Sequence, residues 1–234
     1  MRQAYAGRAI TVVLCLAIAV GLASFMFAAE KPVVIPAPAE DSPKAAGPLQ
    51  KAVLSGGCFW GVQGVYQHVR GVRQVLSGYS GGDKSTAEYE IVSTGRTGHA
   101  ESVQITFDPK EISYGEILQI FFSVVHDPTQ LNRQGPDSGT QYRSNIFYGD
   151  ESQKKIAEAY IAQLNKTQLF RKPIVTRVDP LKAFYPAEGY HQDFLVNNPR
   201  NPYIEYNDLP KIDNLKKVFP EVYQTNPVTV RGSK

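Results

Sequence analysis

The sequence predicts an α/β sandwich in which helices pack on a mixed sheet. Three observations carry that prediction. Short apolar runs with strand alternation take turns with stretches of helical apolar spacing. Glycine, proline and Asp-Pro steps separate them, and no internal repeat is present. With 234 residues, 42% hydrophobic and 20% charged, the composition is globular, which excludes a wholly disordered, collagen-like or coiled-coil chain.

The chain reads in three parts. Residues 1–30 contain 21 consecutive uncharged residues, Ala9 to Ala29. As a helix rising about 1.5 Å per residue they would cross a hydrocarbon core of about 30 Å. Arg2 and Arg8 precede them, so the positive-inside tendency predicts export of everything that follows. Two fates remain open, a retained signal anchor or a cleaved signal peptide. Ala28 and Ala29 are small enough for cleavage, but Met26 and Phe27 stand where small residues are wanted, which favours the anchor. The expected location is periplasmic or otherwise extracytoplasmic, held at the inner membrane by residues 9–29 if they are retained. Cys15 lies inside this run and reads as membrane filler. Residues 31–48, KPVVIPAPAEDSPKAAGP, hold five prolines and predict an extended tether that buries little. The folded domain is then expected over 49–234.

Within that domain Lys51 to Ser55 reads as a strand stopped by Gly56-Gly57. From Cys58, the spacing of Phe59, Val62, Val65, Tyr66 and Val69 predicts a helix closed by Gly71. Val72 to Leu76 alternates as a strand, with a loop over Gly78 to Gly82. Ser102 to Phe107 is a strand ended by Asp108-Pro109, and Tyr114 to Val125 has helical spacing. Asn145 to Tyr148 is a strand, Glu151 to Leu164 an amphipathic helix, and Ile174 to Val178 the last clear strand. A short basic helix is expected over Leu209 to Phe219.

The charge and cysteine content narrow the chemistry. A formal charge of +3 without a basic block gives no footprint for nucleic acid. Two cysteines cannot staple a mini-protein or make a four-cysteine zinc site, and His99, His126 and His191 are too scattered for metal ligation, so no metal is expected. The informative stretch is Ser55-Gly56-Gly57-Cys58-Phe59-Trp60-Gly61. Two glycines allow a sharp strand-to-helix turn, and a helix amino end offers free N–H groups to a thiolate. That setting predicts a reactive Cys58 with its pKa lowered from about 8.5 toward about 7. Phe59 and Trp60 either pack inward or wall a pocket beside the sulfur. Glu101, at a strand entrance facing apolar rings, is expected to stay protonated and to donate a proton. Tyr89 and Tyr142 add uncharged hydroxyl donors. A thiolate, a neutral acid and phenols suit an uncharged substrate with a polar oxygen beside a methyl group. Asp137, in Gly135-Pro136-Asp137-Ser138-Gly139, sits in good turn chemistry.

The segment Gly57-Cys58-Phe59-Trp60-Gly61 resembles the signature of the peptide methionine sulfoxide reductase A family. The likeness continues in Gly78-Tyr79-Ser80-Gly81-Gly82, Thr97-Gly98-His99-Ala100-Glu101 and His126-Asp127-Pro128-Thr129-Gln130. It runs on through Gly139-Thr140-Gln141-Tyr142-Arg143-Ser144, Tyr190-His191-Gln192, Asn201-Pro202-Tyr203 and Asn207-Asp208-Leu209-Pro210. The resemblance implies a ferredoxin-like two-layer sandwich with long loops, and reduction of the S epimer of methionine sulfoxide, free or in proteins. It implies that Cys58 attacks the sulfoxide sulfur and becomes a sulfenic acid. Glu101 would protonate the oxygen, Tyr89 and Tyr142 would hydrogen-bond to it, Phe59 and Trp60 would hold the methyl group, and Asp137 would bind substrate. No bound cofactor is implied. Many relatives carry resolving cysteines near the carboxy terminus, whereas here no cysteine follows Cys58. The expected reductant is therefore an outside thiol: a thioredoxin-like protein, a glutaredoxin-like protein or a small thiol. A cysteine hydrolase that pairs Cys58 with a histidine, and a module that binds oxidised methionine without reducing it, are the competing readings.

Overall fold

The computed structural model describes residues 31–230. The proposed anchor or signal peptide lies outside the described residues. The first strand, β1, spans Gln50–Ser55, followed by helix α1 at Phe59–Gln67 and strand β2 at Val72–Ser80. A one-turn helix α2, Tyr89–Val92, leads to strand β3 at Ala100–Phe107. Helix α3, Tyr114–Ile120, widens into a π-helical turn over Phe121–Val125. Two-residue strands β4 (Arg133–Gln134) and β5 (Asp137–Ser138) form a small hairpin before strand β6 (Asn145–Tyr148) and helix α4 (Glu151–Thr167). Strands β7 (Arg177–Pro180) and β8 (Phe184–Pro186), the short helix α5 (Phe194–Asn197) and helix α6 (Leu209–Val218) complete the chain.

Six strands form one sheet in the order β7-β6-β1-β3-β2-β8. All pairs are antiparallel except β6 with β7, so the sheet is mixed as expected. Along β1 the side chains divide by face. Ala52 and Leu54 enter the main core, while Val53 joins Ala100 and Phe147 on the opposite face, covered by Leu181 and Phe184. The buried apolar side chains of α1, α3 and α4 belong to the main core, among them Val62, Tyr66, Ile117, Ile156 and Leu164. The helices thus share one face of the sheet. Each fully buried side chain of this size contributes about 1.5–3 kcal/mol. The Tyr66 hydroxyl donates to the Ile117 carbonyl at 2.9 Å, which satisfies a polar atom that α1 carries into that layer.

Three expectations need correction. The Gly78–Gly82 loop begins only at Gly81, because Gly78 and Ser80 pair with both β3 and β8. A Cβ at Gly78 would come within 2.4 Å of the Phe184 ring and the Tyr185 carbonyl, so this glycine marks a close approach inside a strand. The strand expected at Ile174 to Val178 lies at Arg177–Pro180, on the sheet edge and a few residues later, and β8 was not foreseen. The largest difference concerns residues 31–48. They are irregular and extended, as proline dictates, but they are fastened to the body. Val33 exchanges hydrogen bonds with Ser123, its N–H donating to the backbone carbonyl and its own carbonyl accepting from Oγ. Gln119 donates to the Ile35 carbonyl and Tyr160 to that of Pro36. Ile35 is only 5% exposed and joins the main core. Side-chain donors on α3 and α4 replace the ladder that proline cannot supply. The folded body therefore starts ahead of Leu49.

Candidate active site

The β1–α1 turn places Cys58. Gly57 has φ +93°, and a Cβ there would stand 2.6 Å from the Gln134 side chain. At Gly56 a Cβ would lie 2.9 Å from the Phe121 ring. Both glycines are therefore required where the chain leaves the sheet. Cys58 becomes the amino-terminal cap of α1, and the Trp60 N–H points at its sulfur. The residue is 9% exposed and lines a cleft of about 640 Å³ together with Gln134, Asp137, Tyr203 and Lys211.

Burial decides the charge of this thiol. It pushes the Cys58 pKa well above the ordinary value, and the carboxylates of Glu101, Asp208 and Asp137 push it further, against the Trp60 N–H. The expectation of a thiolate primed near neutrality is overturned for the free protein. The helix end supplies a donor, but removing the sulfur from water costs the anion more.

Glu101 behaves as expected. It sits within β3 at 3% exposure, and burial raises its pKa to about 8. The Phe59 N–H, donating to Oε2 at 3.0 Å, works the other way, while Asp137 and Asp208 add to the rise. At neutral pH the carboxyl keeps its proton. Tyr89 and Tyr142 both have raised pKa values, chiefly from burial and then from Glu101, with Cys58 also acting on each. The structure thus gathers the four predicted catalytic residues into one electrostatic unit.

Their supports come from the flanking segments. Arg143 donates to the carbonyls of Gly98 and His99, tying the turn that carries Tyr142 to the entrance of the strand that carries Glu101. Glu188 accepts from the Tyr89 N–H at 2.9 Å and from the Tyr79 hydroxyl at 2.8 Å. Gln192 exchanges hydrogen bonds with the Ser77 backbone, which fixes the neighbouring His191. His191 Nδ1 accepts from Trp60 Nε1 at 3.1 Å, and burial lowers its pKa, so it is neutral with its proton on Nε2. Trp60 stacks on Phe194 at 3.8 Å between ring centroids. Phe59 takes the inward alternative, 1% exposed against Tyr79 and His191. His99 and His126 each engage both ring nitrogens with partners other than Cys58. Among the described residues no group of three or more His, Cys, Asp or Glu side chains could hold a metal ion.

The far wall of the cleft was read in the sequence only as part of the family likeness. Asp137 accepts a short hydrogen bond from the Tyr203 hydroxyl, and burial raises its pKa against that bond and the Lys211 charge. Asp208 is fully buried and takes Lys211 Nζ at 3.1 Å on Oδ1. A Cβ at Gly61 would fall 2.0 Å from that same oxygen. A glycine one turn into α1 was the available signal that another segment approaches there.

Comparison with known proteins agrees with this geometry. The family model described as peptide methionine sulfoxide reductase matches residues 50–223. Peptide methionine sulfoxide reductase MsrA 2 of Mesorhizobium japonicum is 62% identical over 187 residues, covering 80% of this chain and 96% of that one. The protein of the same name from Synechocystis sp. is 51% identical over 210 residues, covering 88% and 96%. Reduced Mxr1 from Saccharomyces cerevisiae superimposes with a TM-score of 0.60 at 32% identity, covering 70% of this chain and 92% of that one. A cysteine at a sheet-to-helix turn, beside a carboxyl that keeps its proton, is thus set in a chain that belongs to the peptide methionine sulfoxide reductase family and is an enzyme of the MsrA type.

Proposed function

We propose that Cys58 reduces the S epimer of methionine sulfoxide, free or in proteins, by taking its oxygen as a sulfenic acid. The observation that carries this reading is the buried Glu101 carboxyl, held protonated beside the Cys58 thiol. Glu101 gives its proton to the sulfoxide oxygen as the Cys58 sulfur attacks the sulfoxide sulfur, and the thiol proton returns to the carboxylate. The sulfur–oxygen bond of the substrate breaks and a new one forms at Cys58. The net change is thiol plus sulfoxide to sulfenic acid plus thioether, two electrons passing from Cys58 to the substrate sulfur. Tyr89 and Tyr142 hydrogen-bond to the oxygen, and Asp137 binds the rest of the substrate. Trp60 holds the methyl group, with Phe59 packed against Tyr79 and His191.

The central strands of the sheet, in the order β6-β1-β3-β2 and joined as β-α-β-β-α-β, fit the ferredoxin-like plan for this chemistry. The hydrolase reading gains no support, because the ring nitrogens of His99 and His126 are engaged elsewhere and His191 Nδ1 serves Trp60. Two outside thiols return the sulfenic acid to thiol, forming a disulfide and water, and a thioredoxin-like protein is the donor we favour over glutaredoxin-like proteins and small thiols. We further propose that the enzyme is exported and repairs oxidised proteins outside the cytoplasm, with residues 9–29 as a retained anchor. The test is consumption of each sulfoxide epimer with a thiol, repeated with Cys58→Ser. Consumption of the S epimer alone, lost in the variant, is expected; activity that survives the substitution sinks the reading. Equal rates with a thioredoxin-like protein and with small thiols would remove the preferred donor. Mass spectrometry of the native amino terminus decides anchor against cleaved peptide.

A further inference from the structure

The cleft that contains Cys58 has an outer wall of cations that the reaction does not use. Arg133, Arg171 and Lys172 line it, and all three are exposed. Arg171 and Lys172 take part in no ion pair among the described residues. Arg133 is steadied by donating to the Gly135 carbonyl at 2.7 Å, a bond that leaves its charge uncompensated. The two carboxylates that line the cleft each accept hydrogen bonds from internal partners. Asp127 accepts from Thr129 and Gln130, and Asp137 from Tyr203. Leu131, in the same lining, is 67% exposed, an apolar contact between the charges. A cleft of about 640 Å³ has room for more than one side chain, so its occupant extends beyond the residue that reaches Cys58.

We propose that this wall receives an acidic flank of the oxidised polypeptide, so that the enzyme favours methionine sulfoxide with Asp or Glu a few residues away. The inference rests on the proposed function and names the class of polypeptide that the same site takes. Exposed rim charges act mainly on encounter and selectivity, and salt screens them.

The test is a single turnover of the full chain without added reductant, which keeps the thiol donor out of the readout. Three peptides of equal length carry the S sulfoxide with Asp, Ser or Lys two positions away. The expected order of rates at low salt is Asp, then Ser, then Lys, with about a three- to tenfold spread that shrinks at high salt. Arg171→Glu with Lys172→Glu is expected to reverse the order. Equal rates for the three peptides, or an order that survives the double charge reversal, overturns the inference and leaves the reductase reading intact. Failure to reduce any of the three, free methionine sulfoxide included, overturns the reductase reading itself.

Discussion

Two buried carboxylates sit within electrostatic reach of Cys58, and they are handled in opposite ways. Glu101, in the β3 wall, pairs with no cation among the described residues and accepts a hydrogen bond from the Phe59 N–H. Asp208, in the carboxy-terminal wall, is fully buried but carries Lys211 on one oxygen. Burial raises both pKa values, and only for Asp208 does a cation oppose the rise. The difference separates a group that can deliver a proton from one that holds the C-terminal segment against α1. An unpaired buried acid keeps its proton at neutral pH, whereas a paired one is held by its partner.

The sharpest way to break that contrast is Glu101→Gln. If the Glu101 proton is the one delivered, kcat/KM should fall by about 10²- to 10⁴-fold, measured with the S epimer. Stability should move the other way, and with pH. Between the ordinary carboxyl pKa and about 8 the folded protein holds a proton that the unfolded chain has released, so the wild type loses stability as pH rises through that window. Glutamine has no such dependence. The melting temperature of the variant relative to wild type should therefore be more favourable at pH 9 than at pH 5. An equal difference at both values would mean that Glu101 is ionised in the folded state.

The same comparison predicts a different failure at the other wall. Lys211→Met leaves Asp208 buried beside an apolar chain, at a cost of about 3–5 kcal/mol in chemical denaturation. Adding Asp208→Asn should recover much of that loss, since the double variant buries no unpaired charge. If the two single variants instead add, the pair is not the unit that fastens this wall.

Cys58 itself offers a third measurement. Its alkylation should rise with a midpoint above 9, not near 7, and Glu101→Gln should lower that midpoint only in part, because burial precedes the Glu101 charge among the causes. A midpoint near 7 in the free protein would restore the helix-end account of the thiol.

This thiol also marks where the sequence stopped being legible. Gly56-Gly57 and the apolar spacing from Phe59 were enough to place Cys58 at a strand-to-helix turn, because turn and periodicity are local. Its charge was not, because the cost of burial depends on side chains from β3, β5 and the C-terminal segment that meet only in the fold. Glu101 was readable for the converse reason: Val103, Ile105 and Phe107, which share its face of β3, are apolar, so burial could be foreseen. Lys211 and Asp208 lie near a helix start, where charged residues normally face water, and only Gly61 hinted at their approach. Residues 31–48 misled because proline content argues against strands, not against binding to side-chain donors.

That strap supplies the smallest expected effect. Asp41 accepts from the Ser113 hydroxyl and, at 2.7 Å, from the Gly115 N–H. Ser113 and Glu116 already form a capping box, with Ser113 Oγ accepting from the Glu116 N–H and Glu116 Oε2 from the Ser113 N–H. The amino end of α3 is therefore satisfied twice, once by its own residues and once by the strap. Asp41→Ala removes only the second, and water can take the place of the exposed Asp41 at the end it covers, so a loss of about 0.5–1.5 kcal/mol is expected. Hydrogen exchange should rise at the Gly115 amide, with the Glu116 amide changing less because its acceptor stays in place. Residues 31–48 should also become open to proteolysis, since Ile35 then depends on fewer fixed contacts. A variant that exchanges and cleaves like the wild type would mean that this segment is held by Ile35 and the Val33–Ser123 pair, with the Asp41 bonds adding nothing.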